Sequence, residues 1–383
     1  MVSLLLLCGL LVATFVGFNI GGSSTGVAWG PAVGAKLINK TAAAGLMTAF
    51  VFVGGWTLGR NVIDTLGGEL VPAFSLTASI VILAFIGLGM LVANIYGVPV
   101  STSMTAVGAI SGYGFATGTL DRAALGGIVV WWLIAPIVGF WTGSLIGRYV
   151  YPYLDRRISL PQSDGPLLTY RRVLIVPVPQ LGPGTTRREL YSTLLVLLIA
   201  CYMSFSAGAS NVANAVAPLV GGGSLDVDVA IVLGTVAIGI GAFTIARRTM
   251  ESVGNDITDL PMLAAMVVMV VASTITTFLS WIGIPMSLAM ATIMTIIGLG
   301  WGRATRTATV PELVTGDVEA DISVDTLAAE TPEEPEPIGE EDPEDIRPQT
   351  GLFNPGTVVR FVSFWIIGPS MATLLSFLFF VVF

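Results

Sequence analysis

Phe205-Ser206-Ala207-Gly208-Ala209-Ser210-Asn211-Val212-Ala213-Asn214-Ala215-Val216-Ala217-Pro218-Leu219-Val220-Gly221 is a run of small and hydroxylated residues set inside strongly apolar sequence. The chain carries a second version of it: Phe18-Asn19-Ile20-Gly21-Gly22-Ser23-Ser24-Thr25-Gly26-Val27-Ala28-Trp29-Gly30-Pro31-Ala32-Val33-Gly34. At an offset of 187 residues, Phe18 matches Phe205, Gly21 matches Gly208, Ser23 matches Ser210, Pro31 matches Pro218 and Gly34 matches Gly221. A long motif used twice at one offset marks two structural repeats.

Three further landmarks extend the repeat. Arg60-Asn61-Val62-Ile63-Asp64 is echoed by Arg247-Arg248-Thr249-Met250-Glu251, again at 187. Gly97-Val98-Pro99-Val100-Ser101-Thr102-Ser103-Met104 is echoed by Gly283-Ile284-Pro285-Met286-Ser287-Leu288-Ala289-Met290, at 186. Trp132-Leu133-Ile134-Ala135-Pro136 returns as Trp365-Ile366-Ile367-Gly368-Pro369, at 233, so an insertion precedes the final helix. Arg60 and Asp64 stand one helical turn apart, as do Arg247 and Glu251, a spacing that permits a local ion pair.

The 383 residues are 54% hydrophobic and 11% charged, with a mean hydropathy of +0.85. A soluble domain carries about 25% charged residues, so this is an integral membrane protein. Apolar runs fall at roughly 2–20, 23–38, 41–59, 72–95, 98–118 and 122–150 in the first half. The second and fifth are short and rich in Gly, Ser, Thr and Pro. Non-helical backbone survives in a bilayer only where protein or a water-filled cavity satisfies it. These two segments are therefore expected to be re-entrant or broken helices meeting near the midplane. The fold expected is an all-α polytopic membrane protein of two inverted-topology repeats, with about ten to twelve membrane segments.

The expected layout is a first membrane repeat at 1–150 and a basic cytoplasmic linker at 151–186. The second repeat follows at 187–302, then an acidic disordered loop at 303–357 and a final helix at 358–383. Arg148, Arg156, Arg157, Arg171, Arg172, Arg187 and Arg188 cluster in and around the linker and mark the cytoplasmic side. A nucleic-acid site would interleave such charges with aromatics, and these are not interleaved. The formal charge of −8 comes from the insertion, since acidic residues crowd between Glu312 and Asp345. Its Pro- and Glu-rich composition cannot bury enough surface to fold. Cys8 and Cys201 lie in apolar segments and are expected in the packing, with no metal site. There is no histidine, which excludes a histidine metal site, proton relay or Ser-His-Asp triad. No nucleophile–base pair suggests an enzyme.

Paired repeats with interrupted helices point to a secondary transporter with its site between them. A half-helix that begins at the midplane aims unpaired amides and a positive dipole end at the cavity, and so attracts anions. Ser23, Ser24, Thr25, Ser101, Thr102, Ser103, Ser210, Asn211 and Ser287 are the candidate substrate ligands at four such starts. A Gly-rich channel filter is the alternative of another class, but a filter gathers subunits around one axis, whereas here two halves face each other.

The paired blocks resemble the inorganic phosphate transporter (PiT) family, whose signature is GANDVANA near the start of each half. Gly208-Ala209-Ser210-Asn211-Val212-Ala213-Asn214-Ala215 matches it except at Ser210 and Asn211; Gly21-Gly22-Ser23-Ser24-Thr25-Gly26-Val27-Ala28 is more divergent. The family's Pro-Val-Ser-Thr-Thr-His block is similar to Pro99-Val100-Ser101-Thr102-Ser103-Met104 and, more weakly, to Pro285–Met290. The resemblance implies phosphate uptake across the cell membrane, coupled to Na⁺ or H⁺, by inverted repeats that often dimerise. Sulfate, carried by some relatives, is the competing substrate. The family's signature aspartates are replaced by Ser24 and Asn211, and its histidines by Met104 and Met290. No titratable side chain then remains in the motif for proton coupling. Asn211, Asn214 and Ser24 are the candidate ligands for a cotransported Na⁺, with no other cofactor implied.

Overall fold

In the computed structural model the described residues are 3–95, 101–157, 168–173, 176–181, 186–246, 260–307 and 355–383. Helix α1 spans Leu4–Gly34, α2 Lys40–Thr57, α3 Gly59–Asp64, α4 Leu76–Ile95, α5 Thr102–Thr117, α6 Arg122–Leu145 and α7 Tyr151–Arg157. A two-stranded antiparallel hairpin, β1 Leu168–Val173 and β2 Val176–Leu181, occupies part of the linker. Helices α8 Arg187–Gly221, α9 Val227–Phe243, α10 Met262–Trp281, α11 Leu288–Ala304 and α12 Pro355–Val382 complete the chain. Among the described residues, five helical stretches are long and apolar enough to cross a membrane, six if the bent pair α2–α3 counts as one span.

Local sequence explains the main helix starts. The Ser3 side chain accepts from the Leu6 amide (3.1 Å) at the head of α1. Thr186 accepts from the Glu189 amide (3.1 Å) at the head of α8, the Thr-x-x-Glu spacing of a capping box. Asp121 accepts from the amides of Ala123 and Ala124 and starts α6. Each cap satisfies amides that the helix itself leaves without a partner.

Three expectations differ from the structure. Runs 2–20 and 23–38 are one helix, not a span followed by a broken helix, and the second signature copy likewise lies inside continuous α8. The glycines serve close approach instead of a break: a Cβ on Gly21 would overlap the Ile238 carbonyl, and one on Gly208 the Val51 carbonyl. The bend comes elsewhere. The α2–α3 pair turns by 63° at Leu58, and α3 then widens into a π-helical turn at Thr65–Glu69. Arg60, at this bend, pairs with Asp228 at the start of α9 (2.5 Å) and lies over the Trp56 ring (4.6 Å), in place of the local pair with Asp64. Its repeat counterpart, Arg247 to Asp256, lies outside the described residues. So do residues 97–100, the linker beyond the strands, and the acidic insertion from residue 308. Residues 303–307, assigned to that insertion from sequence, instead finish α11 and its last turn, with Arg303 and Arg306 buried.

The five long helical units of each half correspond as α1/α8, α2/α9, α4/α10, α5/α11 and α6/α12, and they pack reciprocally across the halves. Helix α1 packs on α9 while α2 packs on α8; α5 packs on α12 while α11 packs on α6. The reciprocity reaches single atoms. A Cβ on Gly54 would overlap the Phe205 carbonyl, and one on Gly241, 187 residues later, would overlap the Phe18 carbonyl, 187 before Phe205. Gly112 stands likewise against Thr373, and Gly298 against Phe140. Contacts in which i meets j and their equivalents exchange partners are the mark of a two-fold relation. The halves are therefore interlocked, not laid side by side.

Candidate substrate and cation site

The functional candidates converge where α8, α5 and the extended segment 284–287 meet. Gly283, with φ of +79°, reverses the chain after α10, a conformation open to glycine. The segment that follows carries backbone groups outside any helix, and side chains satisfy them. The Met286 carbonyl accepts from both Ser210 (2.7 Å) and Ser103 (3.1 Å), and the Met286 amide donates to Ser210 Oγ (3.2 Å). The Pro285 carbonyl accepts from Trp132 Nε1 (2.8 Å). Buried irregular backbone at membrane depth requires such partners.

From this anchor a chain of hydrogen bonds runs to the other half. Asn214 Nδ2 donates to Ser103 Oγ (3.0 Å) and to Asn211 Oδ1 (3.3 Å). Asn211 Nδ2 in turn donates to Ser24 Oγ (3.4 Å). Ser24 and Asn211 are the matched signature positions of the two copies, 187 residues apart. Equivalent residues of two related units touch only beside the axis that relates them, so this contact locates the junction of the halves. Asn214 is fully buried, and its Oδ1 accepts no hydrogen bond among the described residues. An unpartnered buried oxygen is costly, and this one is open to accept from a water or to ligate a cation.

The remaining candidates divide by role. Ser101 and Ser287 are matched N-caps, accepting from the amides of Met104 (3.2 Å) and Met290 (3.3 Å), so α5 and α11 begin inside the protein as half-helices. The amides of Thr102 and Ser103, and of Leu288 and Ala289, lie in first turns that have no intrahelical acceptor. The Thr102 hydroxyl, at the same start, makes no hydrogen bond among the described residues. Ser23 donates to the Ile20 carbonyl (3.1 Å) and Thr25 to the Gly21 carbonyl (2.7 Å). These two are occupied by their own helix, and the structure does not bring them into the network. Two half-helix starts are present in place of the four expected, because the signature copies are continuous helix.

The site is lopsided. Position for position, Asn214 corresponds to Val27 and Ser103 to Ala289, so the mirror of the Asn214–Ser103 bond is two apolar side chains. Sequence reasoning missed the part played by Met286, whose contribution is backbone and leaves no side-chain signature. It also missed Trp132, noticed only as a repeat landmark. The extended Gly-Ile-Pro-Met stretch beside a capping serine was the available signal. Among the described residues no group of His, Cys, Asp and Glu could hold a metal ion.

Residues 20–376 match the phosphate transporter family PHO4. The sulfate permease CysP of Bacillus subtilis is 28% identical over 300 residues, covering 78% of this chain and 77% of its own. A protein of Thermococcus kodakarensis, named as a candidate phosphate permease, is 24% identical over 364 residues, covering 78% and 89%. A solved structure, the sodium-dependent phosphate transporter, superposes with a TM-score of 0.64 over 99% of both chains at 19% identity, a likeness of fold. Interlocked repeats, buried half-helix starts and a family match across nearly the whole length agree: this chain is a multi-pass membrane protein of the phosphate transporter family.

Proposed function

We propose that the protein carries inorganic phosphate across the cell membrane as a secondary transporter, with Na⁺ as the coupling ion and no enzymatic step. The observation that carries the reading is the Ser24–Asn211 contact, which joins a continuous buried network to the junction of the two halves. Phosphate would be held by first-turn amides of α5 and α11 and by hydroxyls near them, which bring donors without a fixed charge. Na⁺ would be held by neutral oxygens: Asn214 Oδ1, Asn211 Oδ1 and Ser24 Oγ. The ion offsets the charge of the anion, a task that falls to no Lys or Arg in the network. Proton coupling through the network is disfavoured, because none of its side chains titrates near neutral pH. Inversion of the repeats relative to the membrane belongs to this proposal and supports alternating access around a fixed site. Pairing of two copies through the lipid-facing surface, expected from the family, is part of it as well.

A second reading is sulfate, favoured by the Bacillus subtilis relative. A site of donors alone would suit sulfate, which brings no proton of its own to donate. The experiment is uptake of labelled phosphate and labelled sulfate into proteoliposomes under imposed Na⁺ or proton gradients. Accumulation of phosphate above equilibrium under a Na⁺ gradient is the expected result. Accumulation of sulfate alone would move the assignment to the second reading. Flux that neither saturates nor follows a gradient would support a channel instead.

A further inference from the structure

A second charged feature lies well away from the transport site. Helices α7 and α8 end and begin beside each other: Arg188 Nη2 donates to the Arg157 carbonyl (2.7 Å). The contact gathers Arg156, Arg157, Arg187 and Arg188, all exposed, at one place. None of the four is paired with a carboxylate among the described residues. Two of them stand at the start of α8, where the helix dipole already concentrates positive charge and arginine is disfavoured. Asp155, half-buried, and Glu189, buried, lie beside the four in sequence, so exposed positive charge outweighs the nearby carboxylates and the cluster attracts anions.

The flanking helices indicate which anion. Along α6, the π-helical turn Ile146–Val150 that continues it, and α7, the exposed residues Trp141, Leu145, Tyr149, Tyr153 and Arg157 follow at four-residue intervals. Along α8, Arg188, Tyr191, Leu195 and Leu198 do the same at three- and four-residue intervals. Residues at those spacings share a helix face. Both faces therefore grade from apolar through tyrosine to arginine, and they meet at the Arg188–Arg157 contact. That order matches the layers of a bilayer: acyl chains, then the interfacial zone where tyrosine accumulates, then headgroup phosphates. A soluble anion would need the arginines but not the graded apolar and aromatic faces beneath them.

We propose that Arg156, Arg157, Arg187 and Arg188 form a headgroup site for an anionic phospholipid, whose acyl chains lie along the Leu145–Tyr153 and Tyr191–Leu198 faces. Basic clusters at the ends of membrane helices hold such headgroups by charge, with a contribution from each arginine. The test uses the full chain in detergent with phosphatidylglycerol and phosphatidylcholine in equal amounts, and native mass spectrometry to count retained lipid. The native protein should retain phosphatidylglycerol in preference. The R156Q/R157Q/R187Q/R188Q variant should lose that preference by at least about tenfold. The matching Arg→Lys variant, which keeps the charge, should retain most of it. The paired variants R156Q/R157Q and R187Q/R188Q should each show an intermediate loss, and they serve if the quadruple change prevents folding. Equal retention by the native and Gln proteins would overturn the proposal and leave the arginines as topology signals only. Displacement of the lipid by millimolar inorganic phosphate would overturn it in favour of a soluble-anion site.

Discussion

Replacing Asn214 with valine, the residue its mirror position carries at Val27, separates a cation-ligand role from a structural one. The change removes two hydrogen bonds, to Ser103 Oγ at 3.0 Å and to Asn211 Oδ1 at 3.3 Å. Ser103 stays hydrogen-bonded through its own donation to the Met286 carbonyl, whereas Asn211 Oδ1 loses the donor that Asn214 supplies. One buried unsatisfied group costs about 1–3 kcal/mol. The same change also deletes an oxygen that is itself buried and unpartnered, Asn214 Oδ1, which removes a penalty of the same size. The two hydrogen-bonding terms largely cancel, so their net effect on stability should be about 1 kcal/mol or less. Cation binding has no such compensation. Loss of one oxygen ligand to a charged partner is worth about 1.5–3 kcal/mol, or a rise of roughly 10- to 150-fold in the half-saturating Na⁺ concentration. The assay is phosphate uptake into proteoliposomes across a Na⁺ titration, beside a thermal melt of the purified protein. An unchanged Na⁺ dependence would refute the ligand role. A large fall in melting temperature with unchanged Na⁺ dependence would show that Asn214 is purely structural.

Ser24→Ala combined with Asn211→Ala should abolish uptake while folded protein remains in the membrane, since both ends of the bond between the halves are lost. Unchanged radiolabelled uptake would remove both positions from the site. Gly54→Ala and Gly241→Ala should each destabilise the fold by about 1–3 kcal/mol, because each Cβ would meet a carbonyl of the opposite half. Matched falls in melting temperature support the repeat pairing, and a response at one position alone would argue against it. Na⁺ binding to the substrate-free protein, followed by calorimetry, should be flat between about pH 6 and 8, since no side chain of the network titrates there. A step in that range would point to a proton carrier elsewhere. Trp132→Phe should leave the Pro285 carbonyl without its donor and raise the half-saturating phosphate concentration several-fold, by loosening the segment that leads into α11.

The repeat was legible because it is written in residue identity: two signature copies and two Pro-x-Ser blocks keep their spacing, and helix pairing follows that spacing. Ser101 and Ser287 were readable as helix starts, since a serine after proline and before an apolar run is a capping signal. The course of α1 and α8 was not readable. Glycine, serine and threonine have weak helix propensity and so suggest a break, but between membrane helices the same residues permit close packing within a continuous helix. Gly21 and Gly208 are such cases: each lies against a carbonyl of the opposite half, and no local pattern reveals that. The partner of Arg60 was hidden for a related reason. Asp64 is near in sequence, whereas Asp228 is brought near only by the packing of α2 and α3 against the second half.

The two-fold relation in this chain governs packing but not chemistry, and the difference bears on the proposed mechanism. Glycine-to-carbonyl crossings repeat on both sides of the axis, so exchanging the roles of the two halves preserves the main helix contacts. Alternating access needs that property, because two states close in energy can each be populated only if their scaffolds are comparably packed. The polar groups do not repeat. Asn214 and Ser103 have apolar counterparts in Val27 and Ala289, so the hydrogen-bonded pair, and with it the proposed ligand Asn214, has no mirror across the axis. On the proposed mechanism a single Na⁺ locus then stays at Asn211 and Asn214 of α8 and Ser24 of α1 while the halves rock around it. Introducing Asn at Val27 together with Ser at Ala289 should build the missing mirror pair. Uptake would then show a steeper Na⁺ dependence, with a Hill coefficient above that of the native protein. An unchanged Hill coefficient in a folded, active variant would show that the asymmetry does not set the number of ions.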